Sequence, residues 1–267
     1  MISLLGIPYD KSSSFLRGAA LAPPIIRQMG TDGSANDYTE LGVDYTTLIE
    51  DKGDLPLADH DTPEAFEIIA ERVSKLLKDG NPLISLGGDH SITYPIIEGF
   101  AKYYDNLHIL HIDAHGDLYD TFEGSRFSHA CPFARIMEEK LAARLTQVGI
   151  RTLTPHQREQ IIRFDVDTIE MKHWRPDTLL NLKGPLYISL DLDALDPAYA
   201  PGVSHHEPGG FTTREILHLI HQIDVPIVGA DIVEYNPTRD IHHQTAMLAF
   251  KLMMEIAGVM GRNGGEL

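Results

Sequence analysis

Short, nearly continuous apolar runs alternate along the chain with longer segments in which apolar residues recur every three or four positions. A continuous run is typical of a strand buried on both faces of a parallel sheet, and the wider spacing is typical of an amphipathic helix. The runs predict strands at 2–6, 82–86, 107–112, 145–150, 186–190 and 227–230. The spaced segments predict helices at 62–78, 94–104, 132–144, 155–163, 213–222 and 242–260.

This alternation of strand and helix predicts an α/β fold of three layers, α/β/α, with a mostly parallel central sheet. The 267 residues contain no Pro/Gly/Ser-rich linker, repeat or low-complexity segment, so we expect a single domain over 1–267. Thr62, with Glu64 after it, and Thr213, with Glu215 after it, are predicted helix starts of the N-cap type.

Four polar motifs each follow one of the predicted strands directly. They are GGDHS at 87–91, DAHGD at 113–117, DLD at 191–193 and DIVEYNP at 231–237. In an open α/β sheet, ligands bind at the carboxyl ends of the strands, because the strand-to-helix loops converge there. We therefore expect the four motifs to form one site, and we expect the paired glycines of GGDHS to allow a close backbone approach before His90.

Three of these motifs predict a metal site. Alternate residues of an extended chain point the same way, so Asp113, His115 and Asp117 are expected to converge. Crowded carboxylates repel one another strongly, and a divalent cation removes that repulsion. Oxygen and imidazole donors without a thiolate favour Mn²⁺, Mg²⁺ or Fe²⁺ over structural zinc. The predicted ligands are His90, Asp113, His115, Asp117, Asp191 and Asp193.

Six ligands are too many for one catalytic ion that keeps an open coordination position. They suit two ions about 3.5–4 Å apart that share carboxylates. The bland alternative, that an Asp-rich turn after a strand is only a solvated loop, applies best to DLD taken alone. It explains poorly why three such motifs all follow strands in one chain.

Composition narrows the range of partners and compartments. The formal net charge is −17, from 39 acidic and 22 basic residues, which excludes a basic surface for nucleic acid. The acidity favours a cationic ligand, or it serves solubility alone. The single cysteine, Cys131, excludes an internal disulfide, and no apolar segment reaches the length of a signal peptide or a membrane span. We expect a cytoplasmic protein that binds neither nucleic acid nor membrane.

Together GGDHS, DAHGD, SLDLDALDP and DIVEYNP resemble the signature segments of the ureohydrolase family, which includes arginase, agmatinase, guanidinobutyrase and formimidoylglutamase. The resemblance extends from about Gly6 to the final helix. It implies an arginase-like fold, two Mn²⁺ per chain, and hydrolysis of a small cationic guanidino compound to urea and an amine. It also implies a homo-oligomer, a trimer or a hexamer.

The resemblance further implies which residue does what. His90, Asp113, Asp117 and Asp191 would hold one manganese, and Asp113, His115, Asp191 and Asp193 the other, so that Asp113 and Asp191 bridge. Glu234 would hold the guanidinium by charge-assisted hydrogen bonds. His129, in FSHACPF, would relay a proton to the leaving amine, which suits a group whose pKa lies near neutral pH. The segment 11–18 resembles the border of the active-site mouth, and no chemistry is assigned to it.

Departures from the family pattern bear on the substrate. Arginases usually carry an Asn two residues after the last Asp of DAHxD; here that position is Tyr119, and residues 119–125 resemble the agmatinase type. Agmatine, giving putrescine and urea, is therefore the first predicted substrate, with Asp120 and Glu123 as candidates to face its amine. His205 and His206 are further candidates to line the mouth.

Alternatives remain open at this stage. Guanidinobutyrase or another guanidino-acid hydrolase is the second prediction, with Arg126 as a possible carboxylate partner, and arginase or formimidoylglutamase follows. A non-catalytic cation-binding or regulatory homologue belongs to a different class, and the complete set of ligand positions argues against it. A deacetylase with one zinc ion is disfavoured by the combination of DAHGD with DLD.

Overall fold

The computed structural model describes residues 1–263, and within them the strands form one eight-stranded sheet in which every pair is parallel. The strands are β1 Ile2–Gly6, β2 Ile49–Asp54, β3 Leu83–Leu86, β4 His108–Ile112, β5 Arg144–Ile150, β6 Asp167–Glu170, β7 Leu186–Asp191 and β8 Ile227–Val233. Their order across the sheet is β2-β1-β3-β8-β7-β4-β5-β6.

Helices cover both faces of this sheet. They are α1 Ala22–Gln28, α2 Thr62–Leu77, α3 Thr93–Phe100, α4 Pro132–Glu138, α5 Pro155–Arg163, α6 Thr213–His221 and α7 Gln244–Asn263. One buried apolar cluster joins α1, α6 and α7 to the sheet, and a second joins the remaining helices to the opposite face. The predicted three-layer fold is confirmed. No helix within residues 1–263 is long and apolar enough to cross a membrane.

All six predicted strands are present, and the two that the sequence pattern missed are the edge strands β2 and β6. The sequence of β2 is IEDKGD and that of β6 is DTIE, and their residues are mostly half-buried or exposed. An edge strand pairs on one side only and is often polar, so it lacks the continuous apolar run that marks a central strand.

Helix boundaries differ from the predictions at several ends. The predicted helix 132–144 stops at Glu138, because Lys140 adopts φ 58° and β5 begins at Arg144. The predicted helix 94–104 likewise ends at Phe100. Helix α1, with the sequence APPIIRQ, was not predicted, because seven residues with two prolines in the first turn show little helical periodicity.

Two predicted helix starts move by one residue. The N-caps are Asp61 and Thr212, in place of Thr62 and Thr213. The Asp61 carboxylate accepts a hydrogen bond from the backbone N–H of Glu64 at 3.1 Å, and Thr212 forms a reciprocal capping box. Both caps satisfy N–H groups that the first turn of a helix leaves without a partner.

The four motif-bearing strands lie side by side. In spatial order they are β3, β8, β7 and β4, with GGDHS, DIVEYNP, DLD and DAHGD respectively at their carboxyl ends; β8 includes the first three residues of DIVEYNP, and β7 includes the first residue of DLD. Because all four strands run parallel, their carboxyl ends meet at one edge of the sheet. The motifs therefore converge in the middle of that edge, as the sequence predicted.

Candidate metal centre

The imidazole of His90 lies among three carboxylates. Its Nδ1 is 3.1 Å from Asp113 Oδ2, 3.2 Å from Asp117 Oδ2 and 3.1 Å from Asp191 Oδ2. All four residues are buried. His90 begins a short 3-10 turn after β3, and the Asp89 carboxylate fixes that turn by accepting from the backbone N–H of Ser91 at 3.0 Å.

A second group of donors adjoins the first. His115 Nδ1 is 3.0 Å from Asp193 Oδ2 and 3.5 Å from Asp113 Oδ1. The two oxygens of Asp113 therefore face different histidines, because Oδ2 is directed to His90. All six predicted ligand residues thus lie together at this edge of the sheet.

The route by which the DAHGD side chains converge differs from the prediction. Strand β4 ends at Ile112, and the next residues bend, with Asp117 at φ 46°. The expected extended backbone over 113–117 is therefore absent, and the bend brings these side chains together. A positive φ is uncommon for a residue other than glycine, and such backbone conformations cluster at functional sites.

The carboxylates of this centre disturb one another's ionisation. Burial and the neighbouring Asp193 and Asp113 charges raise the pKa of Asp191 well above its ordinary value. Burial also raises the pKa of Asp193, to about 6, against the opposing effect of His115. Burial opposes protonation of His90, but the hydrogen bonds that the protonated ring donates to the surrounding carboxylates raise its pKa well above 6.5.

These shifts have one physical cause, which is an excess of negative charge in a buried space. Protonated histidines balance that charge when no other cation is bound, and divalent cations would balance it with the histidines neutral. The donor atoms form two subsets, one around His90 and one around His115. Within each subset, all donor atoms lie within 4.8 Å of one another. The oxygen and nitrogen donors fit hard or borderline divalent ions.

His111, on β4, also contacts this centre, although it was not among the predicted ligands. It is buried, its Nε2 lies 2.6 Å from Asp113 Oδ2, and its ring stacks on Phe133 at a centroid distance of 3.9 Å. The Gln147 side chain donates to Nδ1 at 3.0 Å, so Nε2 carries the hydrogen that Asp113 accepts. His108, on the same strand, is directed away from the centre, since its Nε2 faces Thr146 Oγ1 at 2.9 Å.

A chain of hydrogen bonds lies behind His90. Its Nε2 is 2.9 Å from the hydroxyl of Ser189, which donates to Asp231 Oδ1 at 2.8 Å. Asp231 Oδ2 accepts from the Tyr187 hydroxyl at 2.7 Å and from Thr93 Oγ1 at 2.9 Å. Since Ser189 donates to the carboxylate, it accepts from Nε2, so in the neutral ring the lone pair lies on Nδ1, the nitrogen that faces the centre.

The paired glycines before His90 make the predicted close approach. A Cβ on Gly88 would lie 1.7 Å from the carbonyl oxygen of Tyr9, and a Cβ on Gly87 would meet the Ile92 and Val233 side chains. Asp89 also donates its backbone N–H to that Tyr9 carbonyl at 2.9 Å. GGDHS therefore packs directly against the loop that follows β1.

A cavity of about 240 Å³ opens over the centre. It is lined by Ser14, His115, Asp117, Tyr119, Phe122, His129, Ala130, Thr152, Gln157, Asp191, Asp193, His205 and Glu234.

Glu234 and His129 form a buried pair on the cavity wall. Glu234, at φ 64°, accepts from the backbone N–H of His90 at 2.9 Å, and the same oxygen lies 2.9 Å from His129 Nδ1. Burial opposes protonation of the imidazole, but the Glu234 carboxylate outweighs it and raises the pKa of His129 to about 9. His129 Nε2 is 2.8 Å from the hydroxyl of Ser14.

Of the weaker substrate-contact predictions, Tyr119 and His205 line the cavity, and Asp120, Glu123 and His206 lie outside its lining. Asp120 Oδ1 accepts from the Gln160 side chain at 2.7 Å, which turns it away. Glu123 is an exposed turn residue at φ 48°. His206 Nε2 donates to a backbone carbonyl at 2.8 Å.

Sequence reasoning missed the cavity residues Thr152 and Gln157, and it assigned no chemistry to Ser14 although it placed the segment 11–18 at the border of the mouth. Gln157 offered one signal: with Thr154 it forms a capping box at the start of α5. Because α5 follows β5, that helix start lies at the same edge of the sheet as the four motifs. A T-x-x-Q pattern there could have placed Gln157 beside the site.

Comparisons with known proteins agree with this geometry. A family model described as the Arginase family matches residues 1–258. The chain is 45% identical to "Arginase 1, mitochondrial" of Arabidopsis thaliana, over 97% of the chain and 81% of that relative. It is 32% identical to an agmatinase of Bacillus anthracis, over 96% of the chain and 90% of that relative.

A solved structure is also very similar. The arginase from Medicago truncatula superimposes with a TM-score of 0.92 at 43% identity, covering 97% of this chain and 87% of that one. The sequence prediction of greatest likeness to agmatinase is therefore not confirmed, since the arginases are more similar than the agmatinase.

Proposed function

The chain belongs to the arginase family, and from this premise we propose that it hydrolyses a guanidino compound to urea and an amine with the help of bound metal. The observation that carries the proposal is the cluster of four buried aspartates with two histidines, His90 buried and His115 half-buried, at the floor of a cavity. A carboxylate and an imidazole, Glu234 and His129, stand beside that cluster.

Two divalent cations, with Mn²⁺ as the first candidate, would be held by this cluster. One would bind His90, Asp113, Asp117 and Asp191, and the other Asp113, His115, Asp191 and Asp193. When bound, such ions supply Lewis-acid activation of water near neutral pH. Asp113 and Asp191 would serve both positions, and the arrangement of the Asp113 oxygens towards two histidines supports this for Asp113.

The remaining chemistry belongs to the chain's own groups. Glu234 is buried, and burial alone would raise its pKa. The positive charge of His129 outweighs that effect and lowers the pKa of Glu234, so this carboxylate is anionic. A carboxylate in this position attracts the planar, cationic guanidinium and orients it over the metal centre. His129, held protonated by Glu234, supplies the proton that a departing amine needs when the C–N bond breaks.

We propose arginine as the first substrate and agmatine as the second. Arginine is favoured by the greater similarity to proteins named arginase. The two acids predicted to face an agmatine amine, Asp120 and Glu123, lie outside the cavity. Agmatine remains the second candidate substrate for two reasons. Tyr119 lines the cavity, and none of the described lining residues is a Lys or Arg that could pair with an α-carboxylate.

Urea release tests this proposal. Manganese-loaded protein is incubated with arginine, agmatine, guanidinobutyrate and free guanidine, with the Asp193→Ala protein as the blank. Metal-dependent urea from arginine or agmatine is expected, and their relative kcat/KM ranks the two substrates. No urea from any compound would overturn the proposal and favour a non-catalytic homologue. A homo-oligomer and a cytoplasmic location stay predictions.

A further inference from the structure

The hydroxyl of Ser14 lies beside His129 on the cavity wall. Ser14 Oγ lies 2.8 Å from His129 Nε2, while Nδ1 of the same ring lies 2.9 Å from Glu234. Ser14 also lines the cavity beside the metal centre. Ser14, His129 and Glu234 thus form a continuous hydrogen-bonded row along the cavity lining.

Ser14 is held in place by contacts on both sides of it in the chain. Two residues earlier, Ser12 donates its backbone N–H to Asp89 Oδ2 at 3.0 Å and accepts from the backbone N–H of His129 at 3.1 Å. Two residues later, the carbonyl of Leu16 accepts from the hydroxyl of Ser204 at 2.8 Å. The position of Ser14 is therefore fixed independently of its own contact with the imidazole.

The hydrogen-bond chemistry gives the row a direction. A carboxylate only accepts, so the Glu234 contact keeps a hydrogen on Nδ1 and leaves Nε2 as the nitrogen that gains and loses a proton. Because Ser14 Oγ lies at hydrogen-bond distance from Nε2, the proton on Nε2 points at that oxygen. A hydroxyl can accept this proton and donate its own at the same time.

We propose that the proton of His129 reaches the leaving amine through the hydroxyl of Ser14. As the C–N bond breaks, the electron pair stays on the amine nitrogen, which takes the proton from Ser14 Oγ. The proton on His129 Nε2 moves to Oγ in the same step, so the serine is unchanged and the imidazole becomes neutral. This proposal makes Ser14 a catalytic residue, and the proposal rests on the proposed function.

The chain provides a matched control for this test. Ser13 is the neighbour of Ser14 on the same loop, and among the described residues its buried hydroxyl has no hydrogen-bond partner. Ser13→Ala removes a hydroxyl without removing a contact. Ser14→Thr keeps a hydroxyl at the position, whereas Ser14→Ala deletes it.

Steady-state kinetics supplies the first measurement. Ser14→Ala is expected to lower kcat about 100-fold, a general-acid effect, with KM and bound manganese unchanged, while Ser14→Thr and Ser13→Ala retain most of the activity. Because the two residues act in one row, Ser14→Ala combined with His129→Ala should be no slower than His129→Ala alone. Equal kcat for Ser14→Ala and wild type, or multiplicative losses in the double variant, would overturn the proposal.

A second measurement needs no turnover. In metal-free protein, ¹⁵N NMR of the histidine side chains reports the hydrogen bond at His129 Nε2 directly. Ser14→Ala should shift the Nε2 resonance and Ser13→Ala should not, and identical spectra for Ser14→Ala and wild type would overturn the proposal. If wild type releases no urea but the resonance shifts, the contact stands and the proposed function has failed.

Discussion

Removing the hydroxyl of Ser189 tests how the protein prepares His90 for metal. Ser189 lies between His90 Nε2 and the buried carboxylate of Asp231, at 2.9 and 2.8 Å. In Ser189→Ala the Nε2–H of His90 loses its acceptor, so nothing holds the hydrogen on the nitrogen that faces away from the centre. The free energy of metal binding should therefore become less favourable, although no ligand has been touched.

The expected loss of metal affinity follows from the role of Ser189 as the group that orients His90. Groups that orient a metal-ligating histidine typically contribute about 10- to 100-fold in metal affinity, which corresponds to about 1.4–2.7 kcal/mol. Asp231 keeps its hydrogen bonds from Tyr187 and Thr93 in the variant. The free energy of unfolding should still fall by about 1–3 kcal/mol, because the variant loses both hydrogen bonds of Ser189 and each has a net value of about 0.5–1.5 kcal/mol.

The assay is a titration of metal-free protein with Mn²⁺ against a chelating dye, paired with urea unfolding in EDTA. Ser85→Ala is the matched control. Ser85 lies on β3 and pairs in register with Asp231 on the adjacent strand β8. Among the described residues its buried hydroxyl has no hydrogen-bond partner. Its Mn²⁺ affinity should match wild type. Affinity within twofold of wild type in Ser189→Ala would refute the orienting role.

Three further predictions follow from the same contacts. Gly88→Ala places a Cβ 1.7 Å from the Tyr9 carbonyl oxygen, so the free energy of unfolding should fall by about 1–3 kcal/mol; an unchanged urea midpoint would contradict that clash. Asp113→Ala should abolish both metal sites, and one metal retained per chain by elemental analysis would exclude its bridging role. Burial opposes ionisation of Glu255, but hydrogen bonds dominated by Lys251 lower its pKa, so its stabilisation is present above the ordinary carboxyl pKa and disappears as pH falls through the lowered value. Glu255→Gln should consequently be less stable than wild type at pH 7 in urea unfolding, and the difference should shrink as the pH falls below the ordinary carboxyl pKa; a pH-independent difference would refute this.

The elements that could be predicted from the sequence are those whose burial requires a run of apolar residues. Strands β3, β4, β7 and β8 are buried along their whole length, so each is a mostly apolar run that stands out from its surroundings. The edge strands β2 and β6 lack this signal because one side meets solvent. The same burial argument placed the motifs, since each one starts where an apolar run stops.

For the site, the residue types that carry charge could be predicted and the neutral residues could not. The carboxylates and histidines of the centre were predicted because their clustering needs a cation to be stable. Ser14 was missed because its role depends on a contact with His129, 115 positions away, that only the path of the loop after β1 creates. Asp120 was assigned to the cavity from its charge, but Gln160 holds it elsewhere.

The spatial order of the central strands has a consequence for how the chain acquires its chemistry. Strand β3 pairs with β8, and β8 with β7, so GGDHS meets its partners only after the last strand of the chain has been inserted between two earlier ones. Contacts so distant in sequence form slowly. Uptake of manganese by a refolding chain would therefore mark the completion of the sheet, and a nascent chain that still lacks β8 would have no assembled centre to load.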